Sequence, residues 1–305
     1  MDNVCHTLVG AAIGEAGLKG RTRFGNPALM IAANLPDVDV LVFATSIPAV
    51  SFRRGWTHGL LAQAFLPIAF TLVLLLWDRL RPSTDPATPP ARIGPLLLIS
   101  YLGVLSHVLL DLLNNYGVRL LMPFSNRWLY GDSVFIVDIW MWLLLGLGVY
   151  RSRRRGSVRP ARRALVAVSV YVLAMVISAA SARAIVRNEW IREHGTPPRH
   201  LMVGPLPVTP LSKAVIVDAG DHFETGTFSW IGRRTVMDST PLPNLASTGA
   251  VVLARSNPYL QALLRWSRFP YFDVAPAEGG TAVTFTDLRF GDRLGRTTII
   301  VSGER

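Results

Sequence analysis

Four uninterrupted apolar runs constrain this chain more than any other feature: Gly59–Trp77, Gly94–Leu113, Val134–Tyr150 and Ala164–Ala182. A helix needs roughly 20 apolar residues to cross a bilayer, and each run approaches or meets that length. None contains Lys or Arg, and Asp111 and Asp138 are the only acids in all four. A fifth region, Pro27–Val50, is apolar but interrupted by "NLPDVD". A sixth, Val4–Leu18, is rich in small residues and short for a span, which fits a re-entrant or half-buried helix. The reading is a mainly α protein, a polytopic helical membrane domain followed by something different.

The difference begins after residue 182. Short β-branched runs appear there: "AVIVD" (214–218), "AVVLA" (250–254), "AVTFTD" (282–287) and "TTIIVS" (297–302), punctuated by Gly, Pro and Asn. "NPYLQALLRWSRF" (257–269) reads as a helix with Asn257 as its cap and Pro258 in its first turn. The expected organisation is a membrane domain over 1–182 and a small α+β extramembrane domain over 183–305.

Charge placement argues against nucleic acid as a partner. The net charge is +11, and residues 1–182 carry 17 basic and 9 acidic residues. Seven arginines crowd one loop between two apolar runs, Arg151 to Arg163. Such a cluster is a cytoplasmic topology anchor. With that loop inside, alternation puts the Pro-rich linker 78–92 and "KGRTR" (19–23) inside as well. The C-terminal domain then lies outside, in the periplasm or its equivalent. Alternation also carries His6, His58, His107 and Asp111 to one side, the outer one. The single cysteine, Cys5, permits no intrachain disulfide.

"SHVLLDLLNNYG" (106–117) holds a histidine and an aspartate at i and i+4, on one helix face at the end of an apolar run. Ionisable groups are costly there and mark function. "NLPDVD" adds Asp37 and Asp39 where Pro36 breaks a helix, and broken backbone at membrane depth is tolerated where it lines a cavity. "RRGWTHG" adds His58 between two glycines, and His6 follows Asp2 by four residues. Taken singly, each has a plainer role: a helix contact, an Asp cap, an interfacial histidine, a surface pair. Taken together, His6, Asp37, Asp39, His58, His107 and Asp111 form a nitrogen and carboxylate set that suits Zn²⁺, with Mn²⁺ or Fe²⁺ as alternatives. Such a centre cleaves esters or phosphoesters, with Asp37 or Asp39 as the catalytic base. Asn115, Asp132 and Asp138 are candidate supporting groups, and Arg119 or Arg127 candidate holders of an anion. His194, His200 and His222 lack metal-like spacing and are expected to be structural.

The motifs "MDNVCHTLVGAAIG", "NLPDVDVL", "RGWTHG", "LGVLSHVLLDLLNNYGVRLLMPFS" and "VFIVDIWMW" resemble those of the bacterial membrane-bound metal-dependent hydrolases of the YdjM type. These are also called LexA-binding, inner-membrane-associated hydrolases. The resemblance covers residues 1–150, and the tail "LRWSRFPYFDV…GGTAVTFTDLRFGD" resembles the extension of longer members. It implies a bacterial inner-membrane protein, hydrolase activity, and a LexA-type regulator as partner. Cys5 departs from the pattern, which has Thr before the first histidine. A more distant likeness is to zinc-dependent phospholipase C and related single-strand nucleases. In that likeness one metal takes an "NLPDVD" aspartate, His58, His107 and Asp111, and a second takes His6 and shares Asp111. The later His-x-x-x-Glu element of those enzymes has no counterpart here. The expected function is hydrolysis of a phosphoester or lipid-linked substrate at the outer membrane face. Regulator binding and ion transport are the alternatives.

Overall fold

A computed structural model describes residues 1–291 and 296–302. Asp292, the last residue of the tail motif above, lies outside the described residues. The chain divides into two compact units, Met1–Ser46 with Phe52–Ile177, and Ile47–Ser51 with Ser178–Arg305. The change at Ile177/Ser178 and the expected boundary at 182 fall within one long helix.

The first unit opens with α1 (Asn3–Ile13), whose first turn is capped by the Asp2 carboxylate accepting from the Val4 and Cys5 amides. A π-helical turn at Gly14–Leu18 follows, with Gly17 at φ 132°. Next come α2 (Gly25–Ala32) and a 3₁₀ segment (Leu35–Ala44), bent against each other by 50°. Pro36 sits in the first turn of the 3₁₀ segment and cannot donate back into α2. After the short α3 (Ala49–Phe52), nearly all of it in the stretch assigned to the second unit, come α4 (Leu60–Leu80), α5 (Ile93–Leu112), α6 (Ile139–Arg155) and α7 (Arg159–His194). By length and composition α4, α5 and α7 are able to cross a membrane, and the bent pair makes a fourth candidate. The run expected from Val134 becomes helical only at Ile139, because Asp138 stands outside the helix and accepts from the Trp140 and Met141 amides.

Small residues set the packing. A Cβ at Gly103 of α5 would lie 2.4 Å from the Ala32 Cβ of α2, so these helices touch at backbone distance. A Cβ at Gly148 of α6 would lie 2.3 Å from that of Ala164 in α7. The Ser152 hydroxyl accepts from the Ala161 amide at 2.8 Å and closes the α6–α7 hairpin. Pro67 leaves a gap in α4's ladder, and Thr71 bridges from the Pro67 carbonyl (2.7 Å) to Ser100 of α5 (3.0 Å). Cys5, buried, belongs to the core that α1 forms with Met141 and Leu145. Leu72, Val73, Leu76 and Trp77 of α4 face outward, as a lipid-facing surface requires.

The second unit is α+β. One five-stranded sheet runs in the order β1 (His200–Pro205), β2 (Ser212–Asp218), β3 (His222–Ser229), β4 (Arg234–Met237), with β5 (Leu242–Pro243) also on β3. All pairings are antiparallel. Ala182, Val186 and Trp190 of α7 pack with Val203, Val215, Val217 and Phe228 of this sheet. A second sheet holds β6 (Pro270–Ala277), β7 (Gly280–Asp287) and β8 (Thr297–Val301). Between them lie α8 (Gly249–Ala254) and α9 (Pro258–Trp266), the latter capped by Asn257 as expected. "AVVLA" (250–254) is the exception among the β-branched runs. It is helical, because Val251 and Ala254, three residues apart, are the positions it buries.

Candidate metal centre

Four elements of the first unit meet at one buried point. The 3₁₀ segment brings Asp37 and Asp39, the turn before α4 brings His58, α5 brings His107 and Asp111, and α1 brings His6. All six are buried. Asp37, His58, His107 and Asp111 each offer a ligand atom, and these atoms lie within 4.8 Å of one another.

The hydrogen bonds behind the two imidazoles decide which nitrogens face inward. His107 Nδ1 lies 2.7 Å from the Ala33 carbonyl, an acceptor only, so Nδ1 carries the proton and Nε2 the lone pair. Thr57 donates its hydroxyl proton to Asp39 Oδ2 at 3.1 Å, and its oxygen then accepts from His58 Nδ1 at 3.0 Å. His58 Nε2 therefore also carries a lone pair. The two lone-pair nitrogens face each other at 3.2 Å. Asp111 Oδ2 lies 3.5 Å from His58 Nε2 and 3.6 Å from His107 Nε2, and Asp37 Oδ1 lies 3.9 and 3.8 Å from them in the same order. Four acceptors converging in a buried site repel unless cations offset them; Arg54 and Arg53 reach the two carboxylate oxygens at 3.1 and 3.5 Å, and the facing histidine lone pairs call for a further cation. Bonds of about 2.0–2.2 Å in a tetrahedral zinc site give ligand–ligand edges of about 3.3–3.6 Å. The five edges that involve a histidine nitrogen, 3.2–3.9 Å, are close to that range, and the whole group lies within 4.8 Å.

The remaining predicted residues take other places. Asp39 stands behind His58: it accepts from Thr57, from the Arg54 amide at 2.7 Å, and from Arg53 Nε at 3.3 Å. It orients the imidazole without entering the four-residue group. His6 stacks on His107 with ring centroids 3.8 Å apart, and its Nε2 lies 3.4 Å from Asp111 Oδ1. Among the described residues, neither ring nitrogen of His6 has a hydrogen-bond partner. The Met1 amine also contacts Asp111 Oδ1. Asp2 does not pair with His6, being occupied by the α1 amides and Trp142 Nε1. Asp138 caps α6 and accepts from the Tyr171 hydroxyl at 2.8 Å. Asn115 and Asp132 are buried in the 114–133 loop. Arg127 is exposed, whereas Arg119 is buried with its guanidinium 5.0 Å from the Trp128 ring. In the second unit, His194 stacks on Trp190 at 3.8 Å, an ordinary structural contact.

Sequence reading named Arg119 but missed Arg53, Arg54 and Asn114. Arg54 is buried, with Nη2 3.1 Å from Asp111 Oδ2, Nη1 3.2 Å from Asn114 Oδ1, and the Tyr116 ring 4.5 Å beneath it. Its backbone lies in the left-handed region at φ 50°. Arg53 reaches Asp37 and Asp39 and sits over Phe43. Arg119 Nη2 donates to the Arg53 carbonyl at 3.2 Å, and Gly55 leaves room for it, since a Cβ there would meet that guanidinium at 2.5 Å. The available signal was two adjacent arginines just before a site histidine, next to an apolar run.

An open cavity of about 500 Å³ reaches this centre at Asp37. Met30, Ile31, Leu35 and Val38 make its apolar walls, Asn3, Thr7 and Asn34 its polar strip, and Asp37 lines both cavity and cluster. Asn34 ties the strip together by donating to Thr7 (2.9 Å) and to the Met30 carbonyl (2.8 Å).

The chain is similar to the "Uncharacterized protein YfhP" of Bacillus subtilis (strain 168), 22% identical over 305 residues, covering 95% of this chain and 87% of the relative. No solved structure matches it. The family model described as YdjM inner membrane protein matches residues 1–185, a stretch that contains every residue of the centre just described, and the chain belongs to that family.

Proposed function

We propose that this protein is a membrane metal-dependent hydrolase of phosphoesters in lipid or lipid-linked substrates. The observation that carries the reading is the pair of histidine lone pairs and two buried carboxylates aimed at one point, beside an open, mostly apolar cavity that Asp37 also lines. His58, His107, Asp111 and Asp37 would hold the ion, zinc by ligand type, with manganese or iron as alternatives. Such an ion supplies Lewis acidity, polarising a phosphoryl oxygen and making water nucleophilic at neutral pH.

The chain's own residues supply the rest. Arg53, Arg54 and Arg119 bring three guanidinium groups to the cluster's rim, the donors suited to an anionic phosphoryl group. The cavity's apolar walls take the non-polar part of the substrate, with a polar strip along one side. Of the two candidate bases, Asp37 faces the cavity, and Asp39 is committed to Arg53, Arg54 and Thr57. Asp37 would hold the ion through Oδ1, and its other carboxylate oxygen takes the proton of the attacking water as the water oxygen bonds to phosphorus. The bond to the leaving oxygen breaks, and Asp37 returns the proton there. The arginine loop sets the loop side as cytoplasmic and the centre as outward-facing.

The test is an assay of purified protein in detergent with zinc or manganese, on phosphodiester, phosphomonoester, carboxylic-ester and peptide probes. Phosphoester turnover that disappears in Asp111→Asn is the expected result. Turnover confined to peptides overturns the substrate class. No turnover on any probe with metal bound overturns the hydrolase reading.

A further inference from the structure

The α6–α7 hairpin carries a second feature, far along α6 from its capped end and independent of the metal centre. Leu144, Leu147, Arg151 and Arg155 recur along one face of α6, and Arg163 and Ala167 along the facing stripe of α7. Between them lies a cavity of about 230 Å³. It exists because Gly148 and Ala164 draw the helices together at one level, leaving a furrow beside that contact. The furrow is graded. Leu144 lies about 10 Å deeper along the helix axis than Arg151, at about 1.5 Å per residue. Its deep end is apolar and its shallow end holds three guanidinium groups.

Three of the four other arginines in this loop have side-chain partners or a backbone carbonyl to hold them, and the fourth, Arg159, does not line the furrow. Arg153 is paired with Glu15 at 3.0 Å, Arg162 donates to the Ala16 carbonyl at 2.9 Å, and Arg154 reaches the Tyr150 hydroxyl at 3.4 Å. Arg151, Arg155 and Arg163 have no carboxylate partner among the described residues, and all three are exposed. A topology anchor needs only positive charge in the loop. It needs neither a furrow nor unpaired cations gathered at one end of it. Three uncompensated guanidinium groups above an apolar furrow are complementary to a phosphate headgroup with an acyl chain beneath it.

We propose that this furrow is a binding site for an anionic phospholipid, its phosphate held by Arg151, Arg155 and Arg163 and an acyl chain lying along Leu144, Leu147 and Ala167. The test is native mass spectrometry of the full chain in detergent, titrated with phosphatidylglycerol or phosphatidylcholine of identical chains. Wild type is expected to retain phosphatidylglycerol preferentially. The triple variant Arg151→Gln, Arg155→Gln, Arg163→Gln should bind it about a hundredfold more weakly, at roughly fivefold per arginine. Arg153, Arg154, Arg159 and Arg162 remain in that variant to hold the topology. Ala167→Trp keeps every charge but fills the furrow, and should also lower retention. Equal binding of the two lipids by wild type overturns the proposal without recourse to any variant. An unchanged preference in the triple variant, or unchanged retention in Ala167→Trp, overturns it as well.

Discussion

Replacing Asp39 separates a residue that orients a ligand from one that is a ligand. Asp39 Oδ2 accepts from the Arg54 amide at 2.7 Å and the Thr57 hydroxyl at 3.1 Å, while Oδ1 accepts from Arg53 at 3.3 Å. In Asp39→Asn the amide oxygen can keep the Oδ2 contacts, and the NH₂ then opposes Arg53. The Thr57–His58 relay survives, but the charge behind it is lost. In Asp39→Ala the Thr57 proton has no acceptor there, and nothing fixes Nδ1 as the protonated nitrogen of His58. Groups that orient metal ligands are typically worth about 10–100-fold in metal affinity. Asp39→Asn should fall near tenfold and Asp39→Ala near a hundredfold, about 1.4 and 2.8 kcal/mol. Asp37→Ala removes a ligand and should lose more than either. The assay is zinc competition against a chromophoric chelator, with purified protein in detergent. If Asp39→Ala binds zinc as wild type does, the relay has no role. If it equals Asp37→Ala in severity, Asp39 is itself a ligand.

Three further outcomes are expected. Gly103→Ala should push α2 from α5, because its Cβ would meet the Ala32 Cβ at 2.4 Å and Ala32 backbone at 2.9 Å. Overpacking of this kind costs about 1–3 kcal/mol; the displacement moves the Ala33 carbonyl that holds His107, so thermal melts should show both a lower midpoint and a smaller shift on adding zinc. Reporter fusions at Gly156 and at the C-terminus should report opposite compartments, and the same compartment for both would remove the proposed orientation. In the second unit, burial disfavours a charged His222, but hydrogen bonds to Asp221 (2.7 Å) and Glu224 (3.2 Å) outweigh it and hold its pKa above the ordinary value. Its contribution to stability is then complete below about pH 6.5 and lost as pH rises through the raised value, so His222→Gln should lower the melting temperature at pH 5.5 more than at pH 8.

The sequence alone determined the elements with strong one-dimensional signals. Apolar runs free of Lys and Arg specify α4, α5 and α7, because a helix in lipid must satisfy its backbone internally and present apolar side chains outward. Asn257 and Pro258 announced α9, and the i, i+4 spacing of His107 and Asp111 announced one shared helix face. Where charge would be costly, His6, Asp37, Asp39, His58, His107 and Asp111 were legible as a set. Their division of labour was not. Asp37 and Asp39 are two residues apart in the same motif and identical in chemistry. Only the backbone geometry of the 3₁₀ segment turns one toward the cavity and the other behind His58. Arg54 and Asn114 likewise look like loop residues in one dimension, and become parts of the centre because the turn before α4 and the end of α5 meet. "AVVLA" shows the same limit: a short β-branched run fits a strand or a helix equally well, and burial of Val251 and Ala254 decided for the helix. Local pattern reports which residues must leave water or lipid; which of them face one another depends on contacts between segments tens of residues apart, and that information exists only in the folded chain.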